Sequence, residues 1–136
     1  MGIQLYGFWR SIASFRVRVA LRLKGLPFEE TSVDILSGEQ FGFDYQALNA
    51  ERVVPTLIHD GHAVFQSLAI IEYLDEISPS LPLIPAGAQE RAHARSLALV
   101  TIADAHPLVT PRVRNHLVKH LTPTARPLRG GLGTGP

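Results

Sequence analysis

The stretch from Val53 to Glu76, VVPTLIHDGHAVFQSLAIIEYLDE, leaves the chain few ways to fold. Val54 to Ile58 is rich in β-branched residues and reads as a strand. Asp60-Gly61 is a two-residue hairpin turn, and Ala63-Val64-Phe65 is the return strand. Gln66-Ser67 follows directly, and Ser67 is suited to cap a helix over Leu68 to Ile77. Backbone N–H groups and a hydroxyl therefore converge where the hairpin meets the helix, and such a point attracts an anion. Pro55 opens the first strand, where a missing N–H and a cis bond are tolerable, and this leaves the Val54 backbone free to pair with something outside the protein.

The residues before the hairpin supply the rest of a small sheet. Gly2 to Phe8, GIQLYGF, reads as a first buried strand. Ser11 to Gly25 has Ile12, Phe15, Val19 and Leu23 at helical spacing, with Arg16, Arg18, Arg22 and Lys24 among them and Gly25 at the end. Pro27 to Ile35 is a second strand, and a strand-helix-strand unit of this length makes a right-handed parallel crossover. Leu36 to Glu51 is more polar and reads as a loop with a short, irregular helix over Asp44 to Leu48. The order βαβ-ββα implies an α/β fold, a mixed sheet with helices on its faces.

Ser78-Pro79 and Leu81-Pro82 end the hairpin's helix and mark a boundary. Residues 1–82 form one domain on this reading. Residues 86–121 are expected to be helical, with a long helix from Gly87 to Ala105 interrupted by Pro107 and a second piece over Val113 to Leu121. Two helices do not bury their apolar faces alone, so Leu99, Ile102 and Leu117 are expected to seek partners. Residues 122–136, rich in glycine and proline, read as a disordered tail.

Composition excludes several function classes. With 136 residues, 46% hydrophobic and 18% charged, the chain is of the soluble globular kind. It has no cysteine, so thiol chemistry must come from a ligand and no cysteine metal site exists. His59, His62, His93, His116 and His120 are scattered, and Asp104 with His106 alone makes no ligand set, so no metal is expected. The net charge is +1, yet five Lys or Arg follow the last acidic residue, Asp104. No aromatics interleave with them, so nucleic acid is not expected as a partner. The N-terminus carries no export pattern and no apolar run approaches ~18 residues, which predicts a cytoplasmic protein without a membrane partner.

Val54-Pro55 together with Gln66-Ser67-Leu68-Ala69-Ile70-Ile71-Glu72-Tyr73-Leu74 resembles the thioredoxin-like domain of cytosolic glutathione transferases. The frame Trp9-Arg10-Ser11-Ile12-Ala13-Ser14-Phe15-Arg16-Val17-Arg18 resembles the signature of the zeta class, which includes maleylacetoacetate isomerase. Gln40, Asp44 to Asn49 and Ala105-His106-Pro107-Leu108 extend the likeness over about residues 3 to 112. Ile12 and Ala13 stand where the class has a serine and a cysteine, so the contacts of those two side chains are lost.

The resemblance implies a thioredoxin-like domain followed by the first helices of an all-α domain. It also implies glutathione as co-substrate, a small electrophile as second substrate, and a homodimer. Ser11 is the implied catalytic hydroxyl, donating to the glutathione thiolate. Val54, ahead of a cis Pro55, would pair with the cysteinyl backbone, and Gln66 and Ser67 would hold the γ-glutamyl end. Gln40 and His106 are further implied glutathione contacts, and Arg112 an implied substrate contact. An ordinary N-cap is the alternative role of Ser11, Ser14 reads as structural, and Arg16 and Arg18 read as solvated or in weak ion pairs. For maleylacetoacetate the family chemistry is thiolate addition to the cis double bond, rotation, and elimination to the trans isomer. Much of the helical domain that positions the electrophile in the family lies beyond these residues. The expectation is therefore glutathione binding with reduced catalysis, and the alternative is an inactive glutathione-binding or protein-interaction module.

Overall fold

The computed structural model describes residues 2–121, so the expected tail at 122–136 lies outside the described residues. The chain divides into two compact units, one up to Ser96 and one from Leu97 onward. The first contains strands β1 (Ile3–Gly7), β2 (Phe28–Ser32), β3 (Thr56–His59) and β4 (His62–Phe65). Its helices are α1 (Ile12–Leu23), α2 (Phe43–Leu48) and α3 (Ser67–Ile77), and helix α4 (Ala88–Leu99) crosses into the second unit. The sheet order is β2-β1-β3-β4, with β1 and β2 parallel and the other two pairs antiparallel.

The β3–β4 hairpin turns where the sequence places it. Asp60 and Gly61 have φ of 49° and 79°, the pair of positive values that a tight right-twisting hairpin requires. β3 begins at Thr56 rather than Val54, because Pro55 has no N–H to give to a ladder.

Helix α1 buries a different stripe from the one expected. Ile12, Phe15, Val19 and Leu23 are exposed, while Ala13, Ser14, Val17, Ala20 and Leu21 face the sheet. Both stripes have helical spacing, and the small side chains decide between them, because they allow a closer approach. A Cβ at Gly7 would stand 3.3 Å from the Ser14 Cβ and Oγ and 2.9 Å from Glu30 Oε1. Val17, Ala20 and Leu21 then pack with Ile70 and Leu74 of α3 against Ile3, Leu5 and Leu57 of the sheet. Leu5 and Leu57 are register partners on neighbouring strands, and both are fully buried.

The C-terminus of α1 is closed by Gly25 at φ 64°, with Leu26 N–H donating to Leu21 O and Gly25 N–H to Arg22 O. Lys24, at the cap, points inward. Its ammonium donates to Asp75 of α3 (2.6 Å) and to the Leu81 carbonyl (2.8 Å). Burial pushes the Asp75 carboxyl up, but the Lys24 ammonium and the Leu83 and Ile84 N–H groups pull it further, to a net value below the usual carboxylate range. One ion pair thus ties α1, α3 and the segment after α3 together.

The long helix expected over Gly87 to Ala105 is shorter. α4 ends at Leu99, a π turn covers Val100–Ala105, and a 3-10 turn covers His106–Val109. Pro107 has no N–H for the Ala103 carbonyl and its ring clashes with it, so a regular helix does not continue there. Helix α5 (Pro111–Leu121) starts on a proline, two residues before the expected start, since the first helical position needs no N–H.

Candidate active site

Strand registers bring three separated pieces of sequence to one end of the sheet. Tyr6 of β1 pairs with Thr56 of β3, and Thr56 pairs with Phe65 of β4. The exit of β1, the entry to β3 and the exit of β4 are therefore neighbours. Ser11 follows the first, Val54-Pro55 precedes the second, and Gln66-Ser67 follows the third. The Val54-Pro55 bond is cis, as the sequence reading expects. The β1–β3 ladder ends at Tyr6 and Thr56, so the Val54 N–H and carbonyl lie outside it.

The loop into this corner is held from below. Asn49, almost fully buried, donates to Val53 O (2.9 Å) and Thr56 Oγ1 (3.0 Å), and the Tyr45 hydroxyl donates to Val53 O (2.6 Å). Tyr45 is kept a phenol, since burial raises its pKa more than its bonds to Thr56 and Asn49 lower it.

Ser11 is the N-cap of α1. Its Oγ accepts from Ser14 N–H at 3.1 Å, and its carbonyl accepts from Phe15 N–H. The capping bond uses a lone pair and leaves the hydroxyl proton free to be donated, so capping and anion stabilisation are compatible at one residue. Ser14 is structural, as expected: fully buried, its Oγ accepts from Phe8 N–H at 3.3 Å. Ile12 is half exposed and Ala13 points to the core.

At α3 the structure corrects the cap. Gln66, not Ser67, occupies the cap position, at φ 71° and ψ 115° and without a side-chain capping bond, and Ser67 is the first helical residue. The first N–H groups of α3 thus have no side-chain cap, and a non-glycine residue is held in strained backbone at the same point.

Arg16 differs from expectation more. Its Nε donates to Ser67 Oγ at 3.2 Å, and its Nη1 is buried without a partner. Burial depresses the guanidinium pKa, though an arginine remains charged. A cation therefore stands behind the Ser67 hydroxyl and turns its proton away from α1. Position 16 shares the helix face of Ala13 and Ala20, which only the packing of α1 on the sheet shows to be the buried one. Arg18 behaves as expected, pairing with Glu30 at 2.7 Å.

Gln40 lies in the 3-10 turn Glu39–Phe41, beyond the β2 strand end that neighbours the exit of β1. Its Nε2 donates to Ile35 O at 3.5 Å and its Oε1 is buried without a partner. His106 and Arg112 belong to the unit from Leu97 onward. An open cleft of about 400 Å³ lined by Tyr6, Thr31, Val33, Tyr45 and Leu48 lies over the α2 side of the sheet, and includes neither Ser11 nor Ser67. Among the described residues no group of three or more His, Asp or Glu is placed to hold a metal ion.

The family model for the glutathione S-transferase N-terminal domain matches residues 1–76. The chain belongs to the glutathione S-transferase family. It is 44% identical over 111 residues to maleylacetoacetate isomerase of Dictyostelium discoideum, covering 80% of the chain and 51% of the relative. It is 40% identical over 117 residues to maleylpyruvate isomerase of a Ralstonia species, covering 86% and 55%. Among solved structures, maleylacetoacetate isomerase from Methylobacterium extorquens AM1 with bound malonate and glutathione superposes with a TM-score of 0.82 at 48% identity, over 85% of this chain and 55% of that one. The chain spans about half the length of the curated relatives it matches. The thioredoxin-like glutathione transferase fold expected from sequence is thus the fold found.

Proposed function

We propose that this chain is a zeta-type glutathione transferase and that glutathione binds at the corner formed by Ser11, Val54, Gln66 and Ser67. The observation that carries the reading is the convergence of an uncapped helix N-terminus with a hydroxyl backed by a half-buried guanidinium, beside strand backbone left outside its ladder. These residues fit a peptide with an anionic end. α3 and Ser67 take a carboxylate, with Arg16 adding positive field, and Val54 offers an N–H and a carbonyl to a peptide backbone. Gln40 brings a buried acceptor without a partner to the same end.

Ser11 lies at the N-terminus of α1, where its free proton and the helix dipole favour an anion. Glutathione supplies the thiol that the chain lacks, and its thiolate is the nucleophile toward an electrophilic carbon. A thiol of pKa ~8.5 ionises more readily at such a point. The relatives named as maleylacetoacetate and maleylpyruvate isomerases support an unsaturated dicarboxylate as the electrophile, with cis-trans isomerisation as the reaction. His106 and Arg112 stand in the unit from Leu97 onward, and their assignment to glutathione and electrophile stays with the family resemblance. A cytoplasmic location and a homodimer are part of the same proposal. No helix among the described residues is long and apolar enough to cross a membrane.

Titration calorimetry of the 136-residue chain with glutathione tests the binding step. Saturable one-site binding is expected, and the absence of heat together with no retention on immobilised glutathione overturns it. Turnover of maleylacetoacetate by the same preparation tests the isomerase assignment.

A further inference from the structure

Opposite charges stand on neighbouring residues at the start of α3. Arg16 donates to Ser67, while on the preceding residue Gln66 Nε2 donates to Glu51 Oε2 at 2.7 Å. Glu51 is exposed, yet its backbone is fixed. Its N–H donates to Asn49 Oδ1 (2.9 Å), Arg52 N–H closes the turn on Asn49 O (3.0 Å), and Asn49 itself is buried. No cation among the described residues lies within ion-pair distance of Glu51.

A carboxylate held beside an anion site repels a simple anion. It is favourable only when the ligand carries a positive charge close to its own carboxylate, as an α-amino acid does. Resting on the glutathione reading above, the geometry points to Glu51 as the residue that receives the α-ammonium of the γ-glutamyl group. Gln66 donates its amide to Glu51, which leaves Gln66 Oε1 as a second acceptor for the same ammonium. Ser67 and the N-terminus of α3 take the α-carboxylate. Glu51 thereby makes the corner selective for a zwitterionic end over a plain acid.

Calorimetry on the 136-residue chain tests this with two ligands: glutathione, and the analogue in which a glutaryl group lacking the amine replaces γ-glutamyl. The wild type is expected to prefer glutathione. Glu51→Gln is expected to weaken glutathione about fivefold, the upper range for an exposed ion pair, and to tighten the analogue, whose plain carboxylate the Glu51 charge no longer repels. Glu51→Asp, which keeps the charge, is expected to restore part of the preference, and raising the salt concentration to shrink it. An equal change for both ligands, or none, overturns the role of Glu51 while the glutathione reading stands. A wild type that binds neither ligand overturns that reading and this inference with it.

Discussion

The sheet with α1 and α3 encloses large apolar side chains, whereas the helices α4 and α5 leave theirs at the surface. Among the described residues none after Leu74 is buried. Leu97, Leu99, Val100, Leu108 and Val118 are all exposed, whereas Leu5, Val17, Leu21, Leu57, Ile70 and Leu74 are fully enclosed. α4 is held instead by surface contacts such as Arg95 to Glu72 at 2.6 and 3.0 Å. Helical spacing is enough to specify a helix, but a residue's position is fixed by packing only where a complementary surface meets it.

The largest test of that contrast is a pair of leucines. Leu57→Ala is expected to destabilise the first unit by about 3 to 5 kcal/mol, through lost burial and the cavity left between the sheet and the helices. Urea unfolding measures it, and a loss below about 1 kcal/mol would break the comparison.

Lys24→Met comes next. It removes two hydrogen bonds from a buried ammonium but leaves Asp75 its Leu83 and Ile84 donors, so about 2 to 3 kcal/mol is expected. The folded pKa of Asp75 lies below its unfolded value, so the stability it contributes is fully present above about pH 4 and is lost as pH falls through the folded value. The difference between wild type and Lys24→Met should shrink over the same range in acid titrations followed by circular dichroism.

A smaller effect, on binding rather than folding, is expected from Ser67→Ala. Loss of the hydroxyl that Arg16 orients should weaken glutathione by about 1 to 2 kcal/mol, and unchanged affinity by calorimetry would remove Ser67 from the site. Leu117→Ala in α5 is expected to matter least, within about 0.5 kcal/mol in the same urea assay. A larger loss would show that α5 is packed in solution.

The parts of the site that rest on local rules were legible in advance. Asp60-Gly61 admits a tight hairpin because both residues tolerate positive φ, and Ser11 caps α1 because its hydroxyl reaches Ser14 N–H. The parts that rest on contact between distant residues were not. Gln66 displaced Ser67 from the cap, Arg16 left solvent for Ser67, and Glu51 joined Gln66 across 15 positions of sequence. Each depends on the registers of β1, β3 and β4, which sequence spacing near any one of these residues does not contain.

By itself the sequence determined the order of strands and helices, the hairpin, the proline at the β3 entry, the absence of any thiol of the chain's own, and the family. These follow from backbone freedom, period and composition, which each short segment carries alone. Tertiary structure decided which face of α1 is buried, because Ile12, Phe15, Val19 and Leu23 share the spacing of the enclosed stripe and only the close approach allowed by Gly7, Ala13 and Ser14 separates the two. It also decided which charges meet. Arg16 and Arg18 are two residues apart on one helix, yet one stands behind the start of α3 and the other pairs with Glu30 on β2, because α1 lies between those two elements.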